Sequence, residues 1–289
     1  EIERIEAVLE GASPVAEAVV VAEGLPLDSV ATPSLSGLVK VLAELNLQFD
    51  VMESGQDPSG YPLAIHLDQD QGFRSGTLSM GSRLPGADPC PFDPAYLLLP
   101  GLGEFALYGS SCSWTPEGEP VARLGVPAFN RTAEHFTSHV QAPLDRVTDG
   151  AVAEVRGAAA RIGFDLGRCY AETGYHVYRE LLLQILDAVL PRRLARSESP
   201  LIQLHVMRGP GRWLVHVLDA SMARPMPGHP PYYEAGPPRA DVRFRLNLGK
   251  VRSARAVRSG AHLVADGEDW ILPRLDRYEL IALETDDVR

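Results

Sequence analysis

No stretch of this sequence approaches the roughly 20 consecutive apolar residues that a membrane-crossing helix requires, and no membrane partner is expected. Positive charge is scarce: 27 Lys and Arg stand against 38 Asp and Glu, for a formal net charge of −11. A nucleic-acid backbone selects clustered Lys and Arg, so nucleic acid is not an expected partner. Cysteine is nearly absent. Cys90, Cys112 and Cys169 are scattered, forming neither a paired framework nor a C-x-x-C spacing, which points to a reducing, cytoplasmic setting. The sequence offers no metal site and no other cofactor is expected. An initiator Met and the basic and apolar blocks of a signal peptide are also missing: the chain opens Glu1-Ile2-Glu3-Arg4 and reads as cut from something longer.

What is present is ample apolar content, 45% of 289 residues with 22% charged, enough for two ordinary cores. Ala16 to Val21 is a short apolar run between Pro14 and Gly24, suited to a buried parallel strand. Ser34 can cap a helix in which Leu35, Leu38, Val39, Val41, Leu42 and Leu45 recur at helical spacing through Leu47. Phe49 to Met52 and Tyr61 to Leu67 read as the next strands, a βαβ pattern that predicts a doubly wound sheet. A further strand is expected over 76–82, yet only the nine residues 68–76 separate Leu67 from Thr77. A parallel crossover normally takes a dozen or more, so either one sheet face is poorly covered here or the strand lies elsewhere.

Residues 82–127 are rich in Gly and Pro, with apolar islands at 96–99 and 105–108, and read as a long excursion with short strands. Residues 158–164 form a strand. Tyr175 to Leu190 is a helix with Val177, Leu181, Leu182, Ile185, Leu186 and Val189 on one face, ended by Pro191. A charged connection over 192–200 follows, and beyond it the apolar period changes from 3.6 to 2. Residues 201–207 and 212–218 form a hairpin around Arg208-Gly209-Pro210-Gly211, and 242–248 alternates cleanly; short runs follow near Ala256, 262–264, 270–272 and 278–283. The expectation is an α/β domain at 1–195 and a small antiparallel β-sandwich at 196–289.

The densest cluster of chemistry lies at Pro127-Ala128-Phe129-Asn130-Arg131-Thr132-Ala133-Glu134-His135-Phe136-Thr137-Ser138-His139, with Pro143 beyond. This segment resembles one found in glycoside hydrolases that carry a β-galactosidase-type trimerisation domain. The front portion, through Phe49-Asp50-Val51, Tyr61, Tyr96 and Tyr178-Arg179-Glu180-Leu181-Leu182, resembles the class-I-amidotransferase-like domain of family-42-type β-galactosidases. The back portion resembles their terminal β-domain at Leu214-Val215-His216-Val217-Leu218-Asp219, Arg224-Pro225 and Pro273-Arg274-Leu275-Asp276-Arg277-Tyr278-Glu279. The resemblance implies an accessory region. In such enzymes a preceding (β/α)8 barrel carries the acid and nucleophile carboxylates, binds the carbohydrate and sets sugar and linkage specificity, while the amidotransferase-like domain builds a homo-oligomer.

No catalytic pair is evident in the chain itself: Asp68 and Asp70 fall in the shortened crossover and Asp165 and Glu172 in a loop, where solvated carboxylates are expected. Asn130, Arg131, His135, Ser138 and His139 are the candidates for lining a substrate pocket or an interface, or for fixing the loop's shape, and a carboxylate or carbonyl oxygens should meet Arg131. His135 and His139 would share a helix face as metal ligands do, but Phe136 stands where a zinc-protease pattern needs Glu. A competing enzyme reading uses Cys112 with His135 or His139 as a thiol hydrolase or amidotransferase. Against it, Gly109-Ser110-Ser111-Cys112-Ser113-Trp114 lacks the glycines that flank a nucleophile elbow. A third reading is a carbohydrate-binding module. Trp213 and Trp270 fit core positions of alternating strands, which leaves Tyr232 and Tyr233, in a Pro-rich loop with His229, as its exposed aromatics.

Overall fold

The computed structural model describes residues 2–23, 32–136, 139, 141–226, 229–233 and 236–285. Two units cluster by internal contact, one made of 18–41 and 50–191, the other of 1–17, 42–49 and 192–289.

The first unit is organised by nine strands: β1 (Ala18–Ala22), β2 (Phe49–Glu53), β3 (Leu63–Leu67), β4 (Thr77–Met80), β5 (Ala95–Leu99), β6 (Gly103–Leu107), β7 (Glu119–Pro127), β8 (Leu144–Arg156) and β9 (Ala159–Ile162). They form one sheet in the order β2-β1-β3-β4-β9-β8-β7-β5-β6. β1, β3, β4 and β9 pair in parallel, and from β9 outward through β8, β7, β5 and β6 the pairing is antiparallel. β1, β3, β4 and β9 are buried at every position, as parallel strands covered on both faces must be. The doubly wound expectation therefore holds for the parallel half, and the expected strands at 96–99 and 105–108 open the antiparallel half.

Three helices belong with this sheet: α1 (Pro33–Glu44), α2 (Leu166–Thr173) and α3 (His176–Val189). α3 buries the stripe read from its periodicity, Val177 through Val189. Ser34 does not cap α1. Thr32 does, accepting from the Leu35 amide through its hydroxyl (3.4 Å) and from the Ser36 amide through its carbonyl (2.9 Å), while Pro33 takes the first helical position. The Ser34 hydroxyl is thereby released to donate to Asp165 (2.5 Å), whose other oxygen caps α2 at the Arg168 amide (2.8 Å). Asp165 and Glu172 are thus not loop residues, as expected from sequence, but the cap of a helix and a member of it. α1 and α2 cross almost backbone to backbone: a Cβ at Gly37 would sit 1.9 Å from the Gly167 carbonyl oxygen, and one at Gly167 would sit 2.0 Å from that of Ser34.

The short crossover is real. β3 and β4 are adjacent parallel strands, Ala64 opposite Thr77 and Leu67 opposite Met80, and their connection holds turns but no helix. It is not left bare: residues 69–73 are half-buried against the sheet.

In the second unit, β10 (Ile202–Gly209), β11 (Arg212–Asp219), β12 (Arg239–Leu246), β13 (Val251–Ala256), β14 (Asp269–Leu275) and β15 (Tyr278–Thr285) are the main strands. One antiparallel sheet runs Ser13–Pro14, β10, β11, β15, β13, and the other Ala195–Ser197, β12, β14, Val264–Asp266. The two share a core in which Leu204, Val215, Val217 and Ile281 meet Phe244, Leu246 and Leu272, with Trp213 and Trp270 packed against it. This is the expected sandwich, and both tryptophans do core work. Arg243 and Arg245, between the inward positions of β12, instead reach Asp266 (2.6 Å) and Asp269 (2.9 Å).

The outer surface at Leu214 and Leu280 is covered by Ile5, Val8 and Leu9 of the N-terminal helix Ile2–Leu9. Asn46 and Gln48 act as a surrogate strand for β10. Asn46 Oδ1 accepts from the Leu204 amide (2.7 Å), Gln48 Oε1 from the Val206 amide (2.8 Å), and Gln48 Nε2 donates to the Leu204 carbonyl (2.9 Å). Buried backbone groups need such partners.

Candidate functional site

The segment 128–143 is the loop between β7 and β8. Its base is latched where the Ala128 amide donates to the Pro143 carbonyl (2.9 Å) and the Tyr96 hydroxyl to that of Ala142 (2.7 Å). Thr132 organises the tip: its side-chain oxygen accepts from the amides of Glu134 and His135, and its own amide donates to the His135 carbonyl (2.8 Å). None of the described loop residues is helical, so His135 and His139 do not share a helix face. No metal-holding group of His, Cys, Asp and Glu occurs among the described residues.

Asn130, Arg131, His135 and His139 are all exposed, and Phe136 is 71% exposed. Asn130 Nδ2 donates to the Pro91 carbonyl (3.3 Å), and the His135 ring lies 5.9 Å from that of Phe129. Arg131 makes no hydrogen bond or ion pair among the described residues. The carboxylate or carbonyl oxygens expected to meet it are not found among the described residues, and its side chain is exposed. Ser138 lies outside the described residues.

Neither Cys112, the thiol candidate, nor Cys169 is poised to react. Cys112 is buried on the short strand Cys112–Ser113, with Sγ 3.7 Å from the Gly81 carbonyl, and burial pushes its thiol above the usual range. Burial pushes Cys169 up to about 12, and its Sγ donates to the Tyr108 carbonyl (2.9 Å). A reactive cysteine needs the opposite shift. All three cysteines are free. Tyr232 and Tyr233 fall on the second arm of a hairpin, His229–Tyr233 against Ala223–Met226; their side chains lie outside what is described.

Sequence reasoning missed a polar row inside the large sheet. Cross-strand register sets Glu154 of β8 beside Arg161 of β9, Arg161 beside Ser79 of β4, Ser79 beside His66 of β3, and His66 beside Val21 of β1. All four polar residues are buried. Loops meet this face. Asp70 from the short crossover pairs with Arg161 at 2.8 Å, both side chains only 10% exposed, and the guanidinium lies between the rings of Phe73 and Trp114. Trp114 Nε1 and the amides of Glu117 and Gly118 donate to Glu154. The Gln71 amide donates to the Ser79 hydroxyl (3.0 Å). Asp70 is therefore a buried structural carboxylate, not the solvated loop residue expected. The signals were present as an Arg in Ala159-Ala160-Arg161-Ile162 and a His in Leu63-Ala64-Ile65-His66-Leu67, polar residues inside runs otherwise fit for burial.

Next to this row a cavity of about 510 Å³ opens, lined in part by Val21, Tyr61, Ala64, His66, Gln69, Gln71 and Arg74. Burial holds the His66 imidazole below its usual range, aided by the Arg74 charge and partly offset by Gln69. Gln69 comes near but gives no hydrogen bond of ordinary length and angle, and neither ring nitrogen has a hydrogen-bond partner among the described residues.

No family model and no curated protein matches the sequence. Solved structures do match its fold. α-L-Fucosidase isoenzyme 2 from Paenibacillus thiaminolyticus superimposes on 99% of the chain with a TM-score of 0.82 at 21% identity. The fold is one contained in glycoside hydrolases. A β-galactosidase from Bacillus circulans sp. alkalophilus matches 97% of the chain with a TM-score of 0.56 at 10% identity, and the family-42 β-galactosidase Gan42B of G. stearothermophilus 98% with 0.55 at 13%. The chain spans only 51%, 43% and 42% of those three proteins.

Proposed function

We propose that this chain is the non-catalytic accessory region of a sugar-cleaving enzyme whose (β/α)8 barrel lies outside it. The amidotransferase-like assembly domain lies within 1–195, and 196–289, with which 1–17 and 42–49 cluster, serve as the terminal β-domain. The observation that carries this reading is the end-to-end fold likeness to a fucosidase of which the chain spans half. The carboxylates support it: Glu17, Glu154, Asp219 and Glu279 are buried, and each already accepts hydrogen bonds from its own surroundings. None is left over for acid or nucleophile duty.

In this reading the loop over 128–143 meets the barrel or a neighbouring subunit and completes the substrate pocket, with Asn130, Arg131, His135, Ser138 and His139 as its contacts. Its exposed Phe136 and exposed Arg131 are the kind of residues that find partners at interfaces. Hydrolysis of aryl α-L-fucosides and aryl β-D-galactosides tests the proposal. The chain alone should show none, and a polypeptide that also contains the barrel should be active. Strong turnover by the chain alone would overturn it. In the barrel-containing protein, His139→Ala should lower kcat/KM by ten-fold or more, the scale of one lost hydrogen bond to a charged or reacting group, with Tm unchanged. Loss of Tm at constant activity per folded molecule would instead make the loop purely structural.

A further inference from the structure

The most unusual group outside the proposed interface is His66. It is 5% exposed, sits one residue before the end of a parallel strand, and lines the cavity with neither ring nitrogen hydrogen-bonded among the described residues. Buried polar atoms without partners are rare and call for an explanation. The cavity supplies one, because it is polar, roomy enough for a small molecule, and walled by the short crossover that replaces a helix.

We propose that this cavity binds a small neutral polyhydroxylated molecule, of monosaccharide or polyol type, with His66 as the group that orients it. This goes beyond the accessory role and does not depend on it. The chemistry of the lining selects that class. Burial keeps the imidazole neutral at neutral pH, and a neutral imidazole has one donor and one acceptor nitrogen. Paired hydroxyls can satisfy both, since each can give and take a hydrogen bond. A carboxylate offers only acceptors and would face the bare nitrogen lone pair; an ammonium group offers only donors; and a phosphate, though it keeps an O–H, brings a net charge that a neutral imidazole does not match.

The rest of the lining agrees. The side-chain amides of Gln56 and Gln71 can each donate and accept, and the charges of Asp57 and Arg74 offset one another. The Asp57 carboxylate is already held by Ser59, whose amide and hydroxyl donate to it (3.0 and 2.8 Å). Val21, Ala64 and Tyr61 pack together as an apolar patch, a surface on which the C–H face of a sugar ring can rest.

The test is titration of the chain with L-fucose, D-galactose, glycerol, sodium acetate and sodium phosphate, read by the imidazole nitrogen resonances of His66 and by Tm. The hydroxylated probes should shift both His66 nitrogens saturably and raise Tm as bound ligand must. His66→Phe should abolish the binding, and because it removes two unsatisfied nitrogens its own Tm without ligand should hold or rise. Gln71→Leu, at the cavity wall, should weaken binding several-fold with the fold intact. Three results would each overturn the proposal: His66 resonances unmoved by every hydroxylated probe, movement with acetate or phosphate only, or sugar binding by folded His66→Phe equal to that of the unaltered chain. The first readout needs no variant, so a misfolded substitution leaves the answer intact.

Discussion

At the scale of single residues, the large sheet is held by a charge it would be costly to leave alone. Arg161 is buried and forms an ion pair with Asp70. Removing one partner of a buried pair strands the other, at roughly 3–5 kcal/mol. Asp70→Asn should lower unfolding free energy by about that much in urea denaturation, whereas replacing both residues with apolar ones of like volume should cost far less. A second residue sets an acid limit in the sandwich. Burial alone would raise the Asp219 carboxyl, but the Arg239 guanidinium (2.6 Å) and the Ser221 hydroxyl and amide outweigh it and hold the group below its ordinary range. A carboxylate depressed on folding adds stability that is complete above its unfolded pKa, about 3.9, and is lost as pH falls through the lower folded value. Unfolding followed between pH 5 and 2 should show that loss, and Asp219→Ala should flatten it. Little of this was readable in advance. Asp70 looked like any loop carboxylate because its partner is 91 residues away, and no local pattern announces so distant a pairing.

At the scale of elements, the closest tolerance is the crossing of α1 and α2. A methyl group at Gly37 or Gly167 has no room, because the opposing atoms are backbone carbonyls that cannot swing aside. Gly37→Ala should therefore destabilise by about 1–3 kcal/mol or more, against the small gain that helix propensity alone would give. A lowered Tm checks the sign; a raised Tm would mean that the helices can part.

The elements differ in how plainly the sequence wrote them. β1 and α3 are legible because an unbroken apolar run and a regular stripe each carry their own period. β8 is not, although it is 13 residues long, since its first half is largely exposed and charged and its ladder with β7 slips at several points. The helix Ile2–Leu9 is too short for periodicity to speak. The candidate loop was legible as composition but not as geometry: its Arg and His types stand out, whereas nothing local tells whether they face a core or water.

At the scale of the molecule, assembly is the property most open to measurement. Residues 69–73 cover the sheet at the short crossover, so the proposed self-association rests on the family resemblance of the sequence and on the exposed Phe136. Sedimentation across micromolar concentrations should give a defined oligomer that Phe136→Ser weakens. A monomer throughout would count against an assembly role for the chain by itself.

The composition of the sandwich unit, which needs 1–17 and 42–49 together with everything after 191, has a consequence for synthesis. Ser13 and Pro14 pair with Arg208 and Met207, and Asn46 and Gln48 bond to Leu204 and Val206. On a ribosome adding about 5–20 residues per second, the first segment waits roughly 10–40 s for its partner strand to emerge. Through that interval Ile5, Val8 and Leu9 have nothing to cover and Gln48 no strand to imitate. The α/β unit, by contrast, can close as soon as α3 has left the tunnel. A nascent chain halted shortly after Pro191 clears the tunnel should therefore resist protease across 50–191 while its first 17 residues are still cut.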